Sequence, residues 1–131
     1  MIRSFPALVL ATTIGLIGCG TGSAVEDVRS RFESIDHSEL EALADELWDS
    51  RPDTVSFTML PAADWNESLK TLHPKSVHIT DQGLYITTWS RFVESVGVFV
   101  LPQGSTFNPS TSGDPQYDNI DGRCFIFVVR G

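Results

Sequence analysis

The chain has 131 residues, 41% of them hydrophobic, and 17 acidic against 9 basic side chains give it a formal charge of −8. That length supports one small domain, the apolar content is too high for a disordered polyacid, and no run of about 20 apolar residues is present that would span a bilayer. A pI near 4.6 excludes partners held by phosphate contacts, so nucleic acid is not an expected partner.

At the amino terminus Met1, Ile2 and Arg3 make a short positive start. Residues 5–17 are apolar, softened by Pro6, Thr12, Thr13 and Gly15, and lead into Leu16-Ile17-Gly18-Cys19. A charged head, an apolar core of about 7 to 15 residues and a small residue before the cut form the secretory pattern, so residues 1–18 are read as a signal peptide that is removed. The four residues Leu16-Ile17-Gly18-Cys19 resemble the bacterial lipobox. The resemblance implies a lipoprotein precursor cut before Cys19, with lipid attached to the Cys19 sulfur and the new amino terminus acylated. It implies a cell-envelope protein anchored in a membrane and facing the periplasm or the exterior. Two or more acyl chains hold persistently where one holds marginally. In that family a residue other than Asp after the cysteine, here Gly20, accompanies transfer to an outer membrane. No twin arginine precedes the core, which points to export as an unfolded chain.

Cleavage would leave 113 residues at −9. The charge is uneven: Glu26 to Asp53 carry ten acids against Arg29, Arg31 and Arg51, whereas residues 54–131 carry seven acids against five bases. The acidic third is read as a solvated helix face, with docking of a basic envelope partner as the functional alternative. If Cys19 carries lipid, Cys124 has no partner in the chain. Lying inside an apolar run, it is expected to behave as a small buried hydrophobe.

Residues 19–24 are expected to be the lipidated cysteine and a flexible tether, and residues 25–131 the single domain. Val25, Val28, Phe32 and Ile35 make a helical stripe, and Leu40, Leu43, Leu47 and Trp48 make a second, ending before Pro52. Between them Asp36 is an expected N-cap with Glu39 as its capping-box partner, leaving one helix or two open. Residues 54–60 alternate as a strand with Val55, Phe57 and Met59 on one face. Pro61 opens an expected helix containing Trp65, Leu69 and Leu72 and closed by Pro74. Residues 77–80 and 84–89 form a hairpin about Asp81-Gln82-Gly83, with Gly83 placed for positive φ. Residues 96–101 are a further strand, and 123–129, apolar at consecutive positions, a strand buried on both faces. Residues 102–122, rich in Pro, Gly and polar residues, are expected to be a long loop. The order predicts an α+β domain: an antiparallel sheet of about five strands with two or three helices on one face.

No catalytic or cofactor motif stands out, and no cofactor is expected. His73, His78 and Asp81 could converge at a helix-to-strand corner, but their spacing departs from zinc pairs at i, i+2 or i, i+4, and no metal is expected there. His78 is expected to face solvent and His37 to be a turn residue. There is no Gly-x-Ser-x-Gly elbow. Asn119, Asp121 and Gly122 fall at calcium-loop offsets, but Tyr117 and Val128 occupy the first and twelfth ligand positions, so the match fails. The reading is a lipid-anchored envelope protein with a non-catalytic binding domain, using Phe107 and Tyr117 of the long loop and Trp89 at the hairpin. The alternative is a small envelope hydrolase built on His78 with Asp81 or Cys124.

Overall fold

A computed structural model describes residues 20–53 and 56–131. The signal, the lipobox-like residues with Cys19, and Val55 lie outside the described residues. Among the described residues three helices pack on one face of a six-stranded antiparallel sheet, an α+β fold with one strand more than the sequence pattern predicts.

Helix α1 spans Thr21–Phe32 and α2 spans His37–Ser50. α1 begins within the segment that composition assigned to the tether: residues 21–24 are helical and Ala24 is buried. Small residues there continue the stripe of Val28 and Phe32 one turn further back, and tertiary packing outweighs their weak helix propensity. Two helices form because Asp36, in extended conformation, caps α2 by accepting from the Ser38 amide at 3.0 Å. Glu39 does not close a capping box; its carboxylate accepts from the buried Ser68 hydroxyl and ties α2 to α3.

The expected strand at 54–60 is β1, Phe57–Met59, and it is exposed throughout. The expected helix after Pro61 is two pieces: a 3₁₀ turn at Ala62–Asp64, and α3 at Glu67–Leu72. Asn66 restarts the helix by accepting from the Leu69 amide at 2.9 Å, and His73 ends it in the left-handed region at φ 54°. β2 is Ser76–Thr80, β3 Leu84–Arg91, β4 Glu94–Val100, β5 Gln116–Asp121 and β6 Cys124–Val129. The sheet order is β1-β2-β3-β4-β6-β5, so the last strand is interior. Gly83 follows the turn without positive φ; a Cβ there would lie 2.7 Å from the Phe99 ring, so the site needs space, not a left-handed backbone.

Alternation then sorts side chains to two faces. Val77, Ile79, Leu84, Ile86, Val96, Val98, Val100, Cys124, Ile126 and Val128 meet Val28, Phe32, Leu40, Ala44, Leu69 and Leu72 in the helix-side core. Phe99, Tyr117 and Phe127 form a second cluster on the opposite face, with Tyr85, Leu101, Phe107, Phe125 and Val129 against it. β6 is therefore apolar at every position: Cys124, Ile126 and Val128 are buried under the helices, and on the other face Phe127 is buried between the half-buried Phe125 and Val129. Arg123 fastens α2 to the β5–β6 hairpin: its guanidinium donates to both Asp45 oxygens at 2.8 and 3.1 Å and to the Leu101 carbonyl at 2.9 Å.

Candidate functional site

The helix-free face carries a row of rings that crosses the sheet. Phe57 on β1 meets His78 on β2 edge-on at 5.7 Å, and His78 stacks on Tyr85 of β3 at 5.5 Å. Tyr85 meets Phe99 of β4 at 4.8 Å and Phe127 of β6 at 5.2 Å. Phe99 in turn packs on Tyr117 of β5 at 5.2 Å and on Phe107 of the loop between β4 and β5 at 5.6 Å. Register produces the row: His78 is opposite Tyr85, Tyr85 opposite Phe99, and Phe99 opposite Phe125.

The loop between β4 and β5 divides this face into a covered and an open half. Phe107 lies across Phe99 and Tyr117, the latter at 5.4 Å, and the loop is held by Ser105, whose hydroxyl donates to the Gln82 carbonyl at 2.7 Å. Beyond Pro115, over β1 to β3, the face is open as a groove of about 640 Å³ lined by Phe57, Met59, His78, Tyr85, Thr87 and Phe127. Phe57 and Met59 stay 53% and 51% exposed at its outer wall. Large apolar side chains left this accessible, beside others that are packed, mark a surface suited to a ligand.

The polar groups in the groove are few and placed. The Tyr85 hydroxyl donates to Gln82 Oε1 at 2.6 Å and lies 2.6 Å from the Tyr117 hydroxyl, so Tyr117 supplies the proton of that second bond. Burial pushes both tyrosines above the usual phenol range and keeps them neutral donors. Burial also pushes the His78 imidazole below its ordinary value. Among the described residues the histidine–carboxylate contacts are made by His37, not His78. His78 is thus a neutral, half-buried ring in an aromatic stack, and not the freely solvated strand residue that alternation alone suggests.

The expected ligand residues are distributed unequally. Phe107 and Tyr117 lie on this face but plug its covered half; Tyr117 is buried. Trp89 is on the other face, packed against the helix-side core. The register shifts between Thr87 and Trp89, so Thr88 is an extra residue and Trp89 pairs with inward-facing Val96. Without that bulge Trp89 would share the face of Tyr85 and Thr87. The hydrolase constellation separates as well: Cys124 is buried in the helix-side core while His78 is on the opposite face. Asp81 borders the groove with His78 without pairing to it. His73, His78 and Asp81 do not converge as a ligand set among the described residues.

The groove residues that sequence reasoning passed over are Phe57, Met59 and Tyr85. Alternation puts Phe57 and Met59 on one apolar strand face but does not show which side of the sheet that face joins. At the β3–β4 turn, Phe92 takes φ 55° and is almost wholly exposed, a conformation uncommon for a bulky residue. No family model, curated protein or solved structure matches this chain, and the geometry of its own residues carries the functional reading.

Proposed function

We propose that the chain is a lipid-anchored envelope protein whose domain binds, without chemistry, a ligand bearing an apolar ring. The open half of the aromatic sheet face is its working surface. The observation that supports this is the uncovered stretch Phe57–His78–Tyr85: three rings in contact, one of them more than half exposed, above a groove with neutral polar groups. Neutral hydroxyl and imidazole groups beside apolar walls orient a ligand and favour burial of a ring over a charged head. Among the described residues no carboxylate pairs with His78, which favours binding over hydrolysis, since a general base needs an orienting group. On the proposed anchor at Cys19 only Gly20 separates the lipidated residue from α1, so the domain stands close to the bilayer; its acidity disfavours lying on anionic headgroups.

The binding reading is tested by titrating the chain with indole and with cyclohexanol while following the His78 ring protons by nuclear magnetic resonance. Saturable shifts at His78 that vanish in Phe57→Ser/Met59→Ser support it; shifts that are linear, or unchanged in the double variant, count against it. Both residues are largely exposed, so the variant should keep its stability within about 1 kcal/mol. The anchor is tested separately: a Cys19→Ala chain that still incorporates labelled fatty acid would refute it.

A further inference from the structure

We infer that His37, Glu41 and Cys124 form a binding site for one zinc-class divalent cation, where α2 meets the β5–β6 hairpin. His37 and Glu41 are one helical turn apart and share a face of α2. Cys124 opens β6 and is fully buried toward the helices. One ligand atom from each of the three lies within 4.8 Å of the others.

The state of His37 points to an ion. Its Nδ1 is buried without a hydrogen-bond partner, standing 3.5 Å from Glu41 Oε2. Buried polar atoms are almost always satisfied, so an exception calls for a reason. The other ring nitrogen, Nε2, lies 2.9 Å from the Asp121 carboxylate. A carboxylate on one imidazole nitrogen is the outer arrangement of metal-bound histidine: it fixes the proton there and leaves a lone pair on the other nitrogen. Here that second nitrogen stands beside the Glu41 carboxylate.

Glu41 is oriented too. Its Oε2 accepts the Arg123 amide at 2.9 Å, which holds the carboxylate over the turn. Gly122, at φ +53°, gives it room: a Cβ there would stand 2.5 Å from that oxygen. In a tetrahedral zinc site, bonds of about 2.0 to 2.3 Å set ligand atoms roughly 3.3 to 3.6 Å apart. The His37–Glu41 pair is already at that spacing, and the widest pair closes by about 1 Å of side-chain rotation.

A thiolate, an imidazole and a carboxylate together suit zinc over magnesium or calcium, which prefer all-oxygen shells. Cys124 releases its proton on binding, and the two anionic ligands balance a divalent ion. Three protein ligands leave the fourth position to water. The ion would join α2 to the hairpin at the place where Arg123 already does, and its binding free energy would add to stability. None of this depends on the groove or on the anchor.

The test uses the untagged full chain, stripped with a chelator and titrated with cobalt(II), then with zinc. Expected are one equivalent bound, a thiolate-to-cobalt charge-transfer band with tetrahedral visible bands, displacement by zinc, and a higher melting temperature with zinc. Cys19→Ser should leave all four intact, which assigns the thiolate to Cys124. Glu41→Gln keeps the acceptor for the Arg123 amide, so it should fold and yet bind zinc more than about 100-fold more weakly. Asp121→Asn should weaken zinc by about 10- to 100-fold. His37→Gln should abolish the tetrahedral spectrum. Absence of a charge-transfer band in the parent chain, its loss in Cys19→Ser, or its persistence with unchanged affinity in Glu41→Gln and His37→Gln would each overturn the site.

Discussion

Replacing Tyr85 by Phe keeps the ring that stacks on His78 and meets Phe99 and Phe127, and removes only the hydroxyl. That oxygen makes two short bonds, each 2.6 Å, to Gln82 and to Tyr117. A hydrogen bond contributes about 1 kcal/mol net, and stranding a buried partner costs toward the upper end of that range. Tyr117 is buried, so its hydroxyl has little access to water once Tyr85 is gone. The expected loss is about 1.5 to 2.5 kcal/mol, or roughly 6 to 12 °C in melting temperature for a domain of this size. Thermal unfolding followed by circular dichroism reads it. An alkaline titration gives a second readout, because the chain has two tyrosines and both are in this network. Burial raises both above the ordinary phenol value near 10, so the folded state keeps protons that the unfolded chain releases. The unfolded state then binds fewer protons, and the stabilisation is full below about pH 10 and declines as pH rises beyond it. In the parent chain tyrosinate absorbance should therefore appear together with alkaline unfolding. Ionisation of one tyrosine near pH 10 with the dichroism unchanged, or a Tyr85→Phe loss below about 0.5 kcal/mol, would refute the network.

Asp45→Asn should cost about 1 to 2 kcal/mol in denaturant unfolding, near the low end because Asp45 and Arg123 both keep contact with water. The hydrogen bonds from Arg123 hold the Asp45 carboxyl below the usual range, so its contribution is present above about pH 4 and lost as pH falls through the lowered value. The parent and Asp45→Asn curves should converge below that point, and a gap that widens on acidification would contradict the pairing. Gly97→Ala should destabilise by roughly 3 kcal/mol or more, since the new methyl would collide with the Ile86 carbonyl oxygen and approach the Phe127 ring at 2.8 Å. A melting temperature within 2 or 3 °C of the parent's, roughly the shift of a mild surface change, would show that the sheet yields there. In a Cys19→Ser chain, burial pushes the remaining Cys124 thiol up to about 12. Metal-free, it should react with a thiol reagent only as fast as the protein opens; rapid reaction of the folded chain would contradict its place in the core.

Much of the fold is legible because its apolar pattern is dense where packing is dense. The stripes of α1 and α2, the alternation of β2 and the continuous run of β6 each reflect how many faces are buried. β5 is illegible for the complementary reason. Gln116, Asp118, Asn119 and Asp121 are polar, and Tyr117 is its one buried residue, so an edge strand reads as loop. Polar edge strands protect a sheet from pairing with other chains, and here that protection conceals the element. The α1 start at Thr21 is hidden in the sequence because Thr, Gly, Ser and Ala signal a linker, and only packing of Ala24 against the core makes them helical. The face of Trp89 is hidden for a different reason: one bulge residue, Thr88, inverts the faces of everything after it, and no local composition marks the insertion.

The candidate sites show a sharper limit, since both are made of residues whose sequence signals point elsewhere. His37 stands beside an N-cap and reads as a turn residue, and Glu41 is one of ten acids on what looks like a solvated face. Nothing in the chain order relates them to Cys124, 83 positions further on. Yet α2 is not a uniform acidic surface. Glu39 binds Ser68, Glu41 faces His37 and the Arg123 amide, and Asp45 holds the Arg123 guanidinium and the Gln103 amide. Glu41 and Asp45, one helical turn apart, share the face turned to the β5–β6 hairpin, whereas Glu39, on the other side of α2, reaches α3. Part of the charge in the first third of the chain therefore fastens α2 to α3 and to the β5–β6 hairpin. The surface with unspent apolar and aromatic area is on the other side of the sheet, at Phe57, Met59 and His78.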